Sequence, residues 1–146
     1  MATADSLVLV AINGSVADAR AIDLAIVLAK RYHAEVTAIH VVEVPQELPL
    51  EAEMPAEVAR GQAVLAAAEE VAQQYGRDLE VELLQARAAG PALVDEAIER
   101  RASLIVLGTV LRPRLGERSF GRMTVLYVMK NAPCEVVLVR LPPTDD

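Results

Sequence analysis

Short apolar runs alternate along the chain with segments in which apolar residues recur every three or four positions. The runs are rich in β-branched residues, which is typical of strands buried on both faces. The longer segments are typical of helices that pack by one face. The predicted strands lie at 6–12, 36–42, 79–84, 104–107 and 135–140, and the predicted helices at 16–32, 56–75, 91–101 and 121–131.

Turn-forming residues separate these elements. Asn13-Gly14-Ser15 follows the first strand, and Ser15 is placed to cap the helix that begins after it. Gly76 and Pro133 end the second and fourth helices. The segment 43–55 holds three prolines and four glutamates, so it is expected to be a mobile acidic loop. The tail 141–146 is expected to be frayed.

Alternation of strand and helix predicts an α/β fold with a parallel sheet and helices on both faces. The length of 146 residues predicts one domain, 1–146. Ligands of such folds sit at the carboxyl ends of the strands, where the strand order reverses. The residues after the first and fourth predicted strands are therefore the places to look for a site.

The composition excludes several classes of protein. No apolar run approaches the roughly 20 residues of a membrane span, and the N-terminus lacks the pattern of a secretory signal. Cys134 is the only cysteine, which excludes an intrachain disulfide and a cysteine metal cluster and favours a reducing cytoplasm. A net charge of −7 argues against nucleic acid as a partner.

The net charge of the loop from 109 to 122 is opposite in sign to that of the whole chain. The loop carries four arginines and one glutamate, a local charge of +3. Such a reversal between a strand end and a helix start is typical of an anion site, because guanidinium forks and free helix amides both bind oxyanions. The alternative is a solvated surface loop that pairs with the acids of the chain. The arginines are Arg112, Arg114, Arg118 and Arg122.

No catalytic set emerges from the sequence. Neither histidine lies in a strand-end loop beside a nucleophile. His40 is expected to be a core or rim histidine on the second strand, and Cys134 a small packing residue before the fifth.

Four segments in order resemble the universal stress protein (UspA) family over nearly the whole chain. The first is the strand that runs into Asn13-Gly14-Ser15, where the family has Asp-Gly-Ser. The others are Ala38-Ile39-His40-Val41-Val42, Leu104-Ile105-Val106-Leu107-Gly108-Thr109 and Asn131-Ala132-Pro133-Cys134-Glu135-Val136-Val137-Leu138-Val139. The resemblance implies a Rossmann-like, adenine nucleotide alpha hydrolase-like sheet in the order 3-2-1-4-5. It also implies a homodimer paired through the fifth strand.

Members of the family that bind ATP have glycine, two residues, glycine, nine residues, then glycine and a hydroxyl residue. Here Gly108 and Gly121 fit, whereas Leu111 and Arg122 replace the second glycine and the hydroxyl. Thr124 would supply the hydroxyl with a shift of register, and the arginines would compensate for the missing donors. The implied nucleotide-binding residues are Ala11, Ile12, Asn13, Val41, Gly108, Arg112, Gly121, Arg122 and Thr124.

In this scheme backbone groups of Ile12 and Val41 hold the base, Asn13 and Gly108 the ribose, and the remaining residues the phosphates. The ligand would be ATP or AMP, with or without magnesium, and the protein a regulatory stress protein. Two alternatives stay open: a nucleotide-free dimeric module that binds a partner protein, and a weak ATPase. The loop also resembles UspA-like domains fused to amino-acid transporters, through Arg112-Pro113-Arg114 and Phe120-Gly121.

Overall fold

The computed structural model describes residues 6–110, 112–113 and 115–143. Within these ranges strands and helices alternate as the apolar pattern predicts. The elements are β1 (Leu7–Ala11), α1 (Asp18–Tyr32), β2 (Glu35–Glu43), α2 (Pro55–Gln73), β3 (Glu80–Ala86), α3 (Ala89–Arg100), β4 (Leu104–Val110), α4 (Arg122–Asn131) and β5 (Glu135–Leu141).

The five strands form one parallel sheet in the order β3-β2-β1-β4-β5, which confirms the predicted fold class and strand order. Consecutive strands lie side by side from β1 to β3, and the chain then returns to the other side of β1 to add β4 and β5. The order therefore reverses between β1 and β4. The carboxyl ends of these two strands open the crevice where ligands of such folds bind.

Alternate side chains of β1 enter two separate cores, one on each face of the sheet. Val8 and Val10 pack in the core beneath α1 and α2, with Ile22 of α1 and Leu65 of α2. Leu9 packs on the opposite face, in the core beneath α3 and α4. This period of two explains why the strands are continuous apolar runs, because both faces are covered by helices. His40 is buried, and Cys134 packs against the second core, as expected.

The fourth strand is longer than predicted. The sequence placed its end at Leu107, yet β4 continues through Gly108 to Val110. The three extra residues pair with Val139 to Leu141 of β5, so tertiary pairing overrides the glycine that looked like a loop start. For the same reason β3 ends at Ala86 rather than at 84, since its last residues pair with Val42 and Glu43.

The first helix begins later than predicted. Its N-cap is Ala17, and Ser15 does not cap it. The Ser15 hydroxyl instead accepts a hydrogen bond of 2.9 Å from the amide of Ala17, two residues on. Such short side-chain turns compete with capping, because serine bonds equally well to a nearby loop amide.

The acidic segment after β2 is tied to the end of β3. Gln85 donates to the carbonyl oxygens of Leu50 and Ala52, and Arg87 donates to those of Pro45 and Leu48. The mobility expected of this segment stays a prediction. Leu111, Arg114 and residues 144–146 of the tail lie outside the described residues. In the described part of the chain, no helix has both the length and the apolar character needed to cross a bilayer.

Candidate functional site

A cleft of about 430 Å³ opens at the carboxyl edge of the sheet, beside the point where the strand order reverses. A volume of this size is typical of small-ligand sites. The end of β2 and the segments that follow β1 and β4 form its walls, together with the first turns of three helices. The lining residues are Asn13, His40, Val41, Val42, Glu43, Glu57, Ala89, Glu117, Arg118, Ser119, Phe120 and Thr124.

One wall of the cleft is the end of β2, which still pairs with β3 on one side but extends beyond the end of β1 on the other. β1 ends at Ala11, whereas β2 continues to Glu43. Ile39 still accepts a bond of 3.0 Å from the amide of Ile12. Backbone groups alternate in direction along a parallel strand, so the N–H and C=O of Val41 face the same side as those of Ile39. They therefore point to where β1 is no longer present.

The side chain of His40 explains why the hydrogen bonding between β1 and β2 stops at Ile12. Its Nδ1 donates to the carbonyl oxygen of Ile12 at 3.0 Å, which takes the acceptor that the next residue of β2 would use. Nδ1 must carry the proton, because a carbonyl cannot donate. Burial lowers the pKa of His40, so the ring is neutral at pH 7.

The turn after β1 is held from two sides. The Asp18 carboxylate accepts from the amide of Asn13 at 3.3 Å and from that of Gly14 at 2.8 Å. Arg60 of α2 donates from Nη2 to the carbonyl oxygen of Asn13 at 3.1 Å. Burial raises the pKa of Asp18 to about 6, although the three backbone hydrogen bonds and Arg60 oppose the shift.

One polar atom of this turn and one of Arg60 are buried without a hydrogen-bond partner among the described residues. They are Oδ1 of Asn13 and Nη1 of Arg60. An unpaired buried polar atom costs about 1–3 kcal/mol. Asn13 lines the cleft, so its amide oxygen is an acceptor that a ligand could satisfy.

The charges around the cleft are mostly negative. The Glu43 carboxylate accepts from the amide of Ala89 at 2.8 Å, so it already occupies the first turn of α3. Glu57 lies 3.9 Å from the guanidinium of Arg118. With Glu117, three glutamates and one arginine line the cleft.

Ser119 and Phe120 form the far wall, and the end of β4 fixes their position. The Ser119 hydroxyl accepts from the amide of Val110 at 3.0 Å and bonds to the Thr109 hydroxyl. The Thr109 hydroxyl lies 3.0 Å from the Phe120 carbonyl oxygen, to which it donates. The wall between the cleft and the outer side of α4 is therefore rigidly attached to the sheet.

The residues predicted to bind a nucleotide fall into three places. Asn13, Val41 and Thr124 line the cleft. Ala11, Ile12 and Gly108 are buried beneath it, and both backbone groups of Ile12 are already bonded within the protein. Arg112, Gly121 and Arg122 line a second pocket of about 320 Å³ on the other side of Ser119 and Phe120.

The predicted convergence of the arginines on one site is therefore not what the structure shows. Arg118 reaches the cleft, Arg112 and Arg122 do not, and Arg114 lies outside the described residues. Gly108 is a packing residue, because a Cβ there would lie 2.8 Å from the Cβ of Ala17.

Sequence reasoning missed the residues that arrive from other elements. Asp18 had a signal, since an acid in the first turn of a helix often bonds loop amides. Arg60 and Glu57 had none, because nothing in a helical pattern marks which exposed residue will face a cleft. In the described ranges no three His, Cys, Asp or Glu residues are grouped to hold a metal ion.

Comparison with known sequences matches the chain to one family. The model of the universal stress protein family matches residues 7–140. Universal stress protein MJ0531 from Methanocaldococcus jannaschii is 34% identical over 136 residues, which cover 89% of this chain and 79% of that protein.

Solved structures agree in fold. A universal stress protein from Archaeoglobus fulgidus in complex with dAMP superposes with a TM-score of 0.73 at 20% identity, covering 94% of this chain and 99% of that one. A universal stress protein in complex with cAMP superposes with a TM-score of 0.66 at 25% identity, covering 94% and 98%.

Proposed function

The chain belongs to the universal stress protein family, and on that premise we propose that it binds an adenine nucleotide in the cleft at the carboxyl edge of the sheet. Two relatives of the same fold hold dAMP and cAMP. Binding, rather than catalysis, is the proposed activity. The protein would act as a nucleotide-dependent regulator.

The open edge of β2 carries this proposal. Val41 presents one N–H and one C=O to the cleft wall, beyond the end of β1. The edge of adenine that carries N1 and the 6-amino group has one acceptor and one donor side by side. The base would thus bond to the backbone groups of β2 that lie beyond the end of β1. Guanine has the opposite polarity at these two positions and would be rejected.

Asn13 supplies the contact to the sugar. Its buried Oδ1 lacks a partner among the described residues, and it would accept a hydrogen bond from a ribose hydroxyl. An aspartate at this position would add a negative charge to a cleft that already holds three glutamates. Asn13 keeps the acceptor without that charge.

The phosphate would lie at the first turn of α4. Thr124 offers its hydroxyl there, and Arg118 offers a guanidinium from the preceding loop. The helix has no side-chain cap, so its first amides are free to bind an oxyanion. Because the cleft is lined by more acids than bases, we propose AMP rather than ATP as the preferred ligand.

Isothermal titration calorimetry with adenosine, AMP, ATP and GMP, each with and without magnesium, tests the proposal. We expect saturable binding of adenosine and AMP, weaker binding of ATP and none of GMP. Equal affinity for AMP and GMP would contradict the role of Val41. No heat with any purine compound would contradict nucleotide binding altogether.

Two variants locate the site. Asn13→Ala should weaken the binding of adenosine and of AMP alike, because it removes a sugar contact. Thr124→Val should weaken AMP and leave adenosine unchanged, because it removes a phosphate contact of about 1 kcal/mol, roughly fivefold in affinity. Ser103→Ala, an exposed hydroxyl deletion before β4, is the matched control. If Thr124→Val bound AMP as tightly as the wild type does, the proposed position of the phosphate at this turn would be wrong.

A nucleotide-free interaction module is the second candidate. One observation favours it: the outer face of α4 exposes Leu126 and Met129, which are 57% and 55% accessible. A partner protein would cover them, and calorimetry with nucleotides would then show no heat. A weak ATPase is the third reading, and phosphate release from ATP over hours would reveal it.

We also propose that the protein forms a homodimer through β5. β5 is an edge strand, and an unpaired apolar edge is an aggregation hazard that pairing removes. Sedimentation equilibrium should give twice the mass of 15.7 kDa, and Val137→Lys should give the monomer. A wild-type monomer at tens of micromolar would contradict the dimer. The single cysteine fits a cytoplasmic location, which fractionation of cells would test.

A further inference from the structure

We propose that a groove between α1 and α2 binds a neutral amphiphile, a molecule with a medium-length alkyl chain and an uncharged oxygen acceptor such as an amide carbonyl. The groove encloses about 460 Å³, a volume typical of small-ligand sites. It shares no lining residue with the adenine cleft, so the inference does not rest on the proposed function. We call it the interhelical groove.

One face of α2 forms the long wall of the interhelical groove. Arg60, Val64, Ala67 and Val71 line it and recur every three or four residues, so they follow one side of the helix. From Arg60 to Val71 this wall is about 16 Å long, at about 1.5 Å per residue. The groove is thus long enough for a medium-length alkyl chain.

Small side chains keep the interhelical groove open. Ala19 of α1 and both Ala63 and Ala67 of α2 line it and are exposed. Val64 and Val71 also line it and are only partly buried, although they pack against the core beneath α1 and α2. An alkyl chain in the groove would remove this apolar surface from water, which is favourable.

The Arg60 end of the groove is polar. The Asp18 carboxylate accepts from the amide of Gly14, and an added Cβ at Gly14 would lie 2.6 Å from Nη2 of Arg60, so these lining residues lie together. Nη2 of Arg60 donates to the carbonyl oxygen of Asn13, whereas Nη1 is buried without a partner among the described residues. Leaving a buried donor unpaired is costly. An oxygen atom of a ligand would supply the missing acceptor.

The charges at this end favour a neutral head group. Asp18 and Arg60 have opposite charges and lie close enough to interact electrostatically. Burial raises the pKa of Asp18 only to about 6, so the carboxyl is mostly ionised at pH 7.5. A ligand carboxylate would be attracted by Arg60, but Asp18 would repel it and it would lose its hydration. An amide carbonyl accepts from Arg60 without that repulsion and loses less hydration.

Calorimetric titration with octanamide at pH 7.5 tests the proposal, with octanoate and butanamide in parallel. Octanoate keeps the chain and charges the head group, whereas butanamide keeps the head group and shortens the chain. We expect octanamide to saturate at one molecule per chain, to bind about tenfold more tightly than octanoate, and to bind still more tightly relative to butanamide. The absence of saturable octanamide binding, or equal affinity for either of the other compounds, would overturn the proposal.

Two variants locate octanamide. Ala67→Phe should lower its affinity at least about tenfold, because the added ring would fill part of the groove. Ala66→Phe is the matched control, because Ala66 is an exposed neighbour on the same helix that does not line the groove, and it should have little effect. Arg60→Met should lower octanamide affinity about tenfold by removing the donor. Wild-type affinity in Ala67→Phe or in Arg60→Met would show that the proposal is wrong.

Methyl NMR spectra of the unmodified protein locate the ligand without a substitution. The signals of Val64 and Val71 should shift as octanamide is added, whereas those of Val27, an exposed residue of α1 that does not line the groove, should stay in place. Unshifted signals of both groove valines at saturation would contradict the proposal. Urea denaturation shows whether each phenylalanine variant is folded. Adenosine binding is titrated separately, so failure of the groove and failure of the nucleotide cleft are distinguished.

Discussion

The guanidinium of Arg60 donates to the carbonyl oxygen of Asn13 at 3.1 Å, across 47 residues of sequence. This bond joins α2 to the turn that follows β1. Asp18 holds the amides of the same turn from the other side. The turn that forms one wall of the cleft is therefore placed by two charged side chains, and neither of them was recognised in the sequence.

Replacing Arg60 by glutamine should weaken nucleotide binding without removing a ligand contact. The Asn13 carbonyl would lose its donor, so the turn would occupy several positions and adenosine affinity should fall about three- to tenfold. Arg60 acts through Asn13, so Arg60→Gln combined with Asn13→Ala should lose little more than Asn13→Ala alone. Additive losses in this double-mutant cycle would show that Arg60 acts elsewhere.

Gly14→Ala should displace Arg60 as well as strain the backbone. Gly14 has φ of 85°, and an added Cβ would lie 2.6 Å from Nη2 of Arg60. Gly76→Ala is the matched control, because Gly76 has φ of 64° and nothing lies within 4 Å of its added Cβ. Both variants should lose about 1 kcal/mol of unfolding free energy in urea. Only Gly14→Ala should lose adenosine affinity. Equal adenosine affinity in the two variants would contradict the role of Arg60 in placing the turn after β1.

Asp18 should make stability depend on pH. Burial raises its pKa from 3.8 to about 6, so the folded protein holds this proton more tightly than the unfolded chain. Its contribution is therefore full below about pH 3.8 and is lost as the pH rises through 6. The difference in unfolding free energy between wild type and Asp18→Asn should fall by about 1 kcal/mol from pH 5.5 to 7.5.

Urea denaturation across this range measures the effect, with Asp95→Asn as the control for deleting an exposed carboxylate. A difference that is constant, or that rises with pH, would show that the amides of Asn13 and Gly14 outweigh burial.

Glu57→Gln should shift the cleft toward nucleotides with more phosphates. The carboxylate lies 3.9 Å from Arg118 and repels a polyphosphate while it competes for the guanidinium. Removing the charge should raise the affinity for ATP relative to AMP roughly threefold or more. Glu70→Gln, on the exposed side of the same helix, should leave the ratio unchanged. An unchanged ratio in Glu57→Gln would locate the selectivity against ATP elsewhere.

The fold could be predicted because its signals are local and repeat along the chain. Apolar runs mark strands that helices cover on both faces, and Gly, Pro and Asn mark where they end. The end of β4 could not be predicted, because Gly108 interrupts the apolar run while Val139 to Leu141 supply the pairing that extends the strand. Pairing of this kind depends on another strand and leaves no trace in the segment itself.

A smaller part of the candidate site could be predicted from the sequence. Asn13 follows from its place after the first strand, at the edge where parallel strands end, and Val41 was implied by the resemblance to the family. The side of α4 that each arginine faces did not follow, since it depends on how Ser119 and Phe120 attach to β4. Arg122 and Thr124 are two residues apart, about 200° around a helix, and so face different cavities.

Gly108 is the residue whose surroundings differ most from the predicted ribose contact. Substituting it distinguishes a packing role from a binding role. An added Cβ would lie 2.8 Å from the Cβ of Ala17 and 3.0 Å from its carbonyl oxygen. Gly108→Ala should therefore cost about 1–3 kcal/mol of unfolding free energy, as overpacking does. Ala17 is the N-cap of α1, a position that glycine tolerates.

The double variant Gly108→Ala with Ala17→Gly should recover part of the loss, but not all, because the carbonyl oxygen of Ala17 remains in the way. Under conditions where each variant is folded, adenosine should bind as it does to the wild type, since Gly108 does not line the cleft. If Gly108→Ala had normal stability and failed to bind adenosine, Gly108 would be a ribose contact and the packing role would be wrong. The glycine of the family motif would then contact the ligand directly, rather than allow the close approach of α1 to β4.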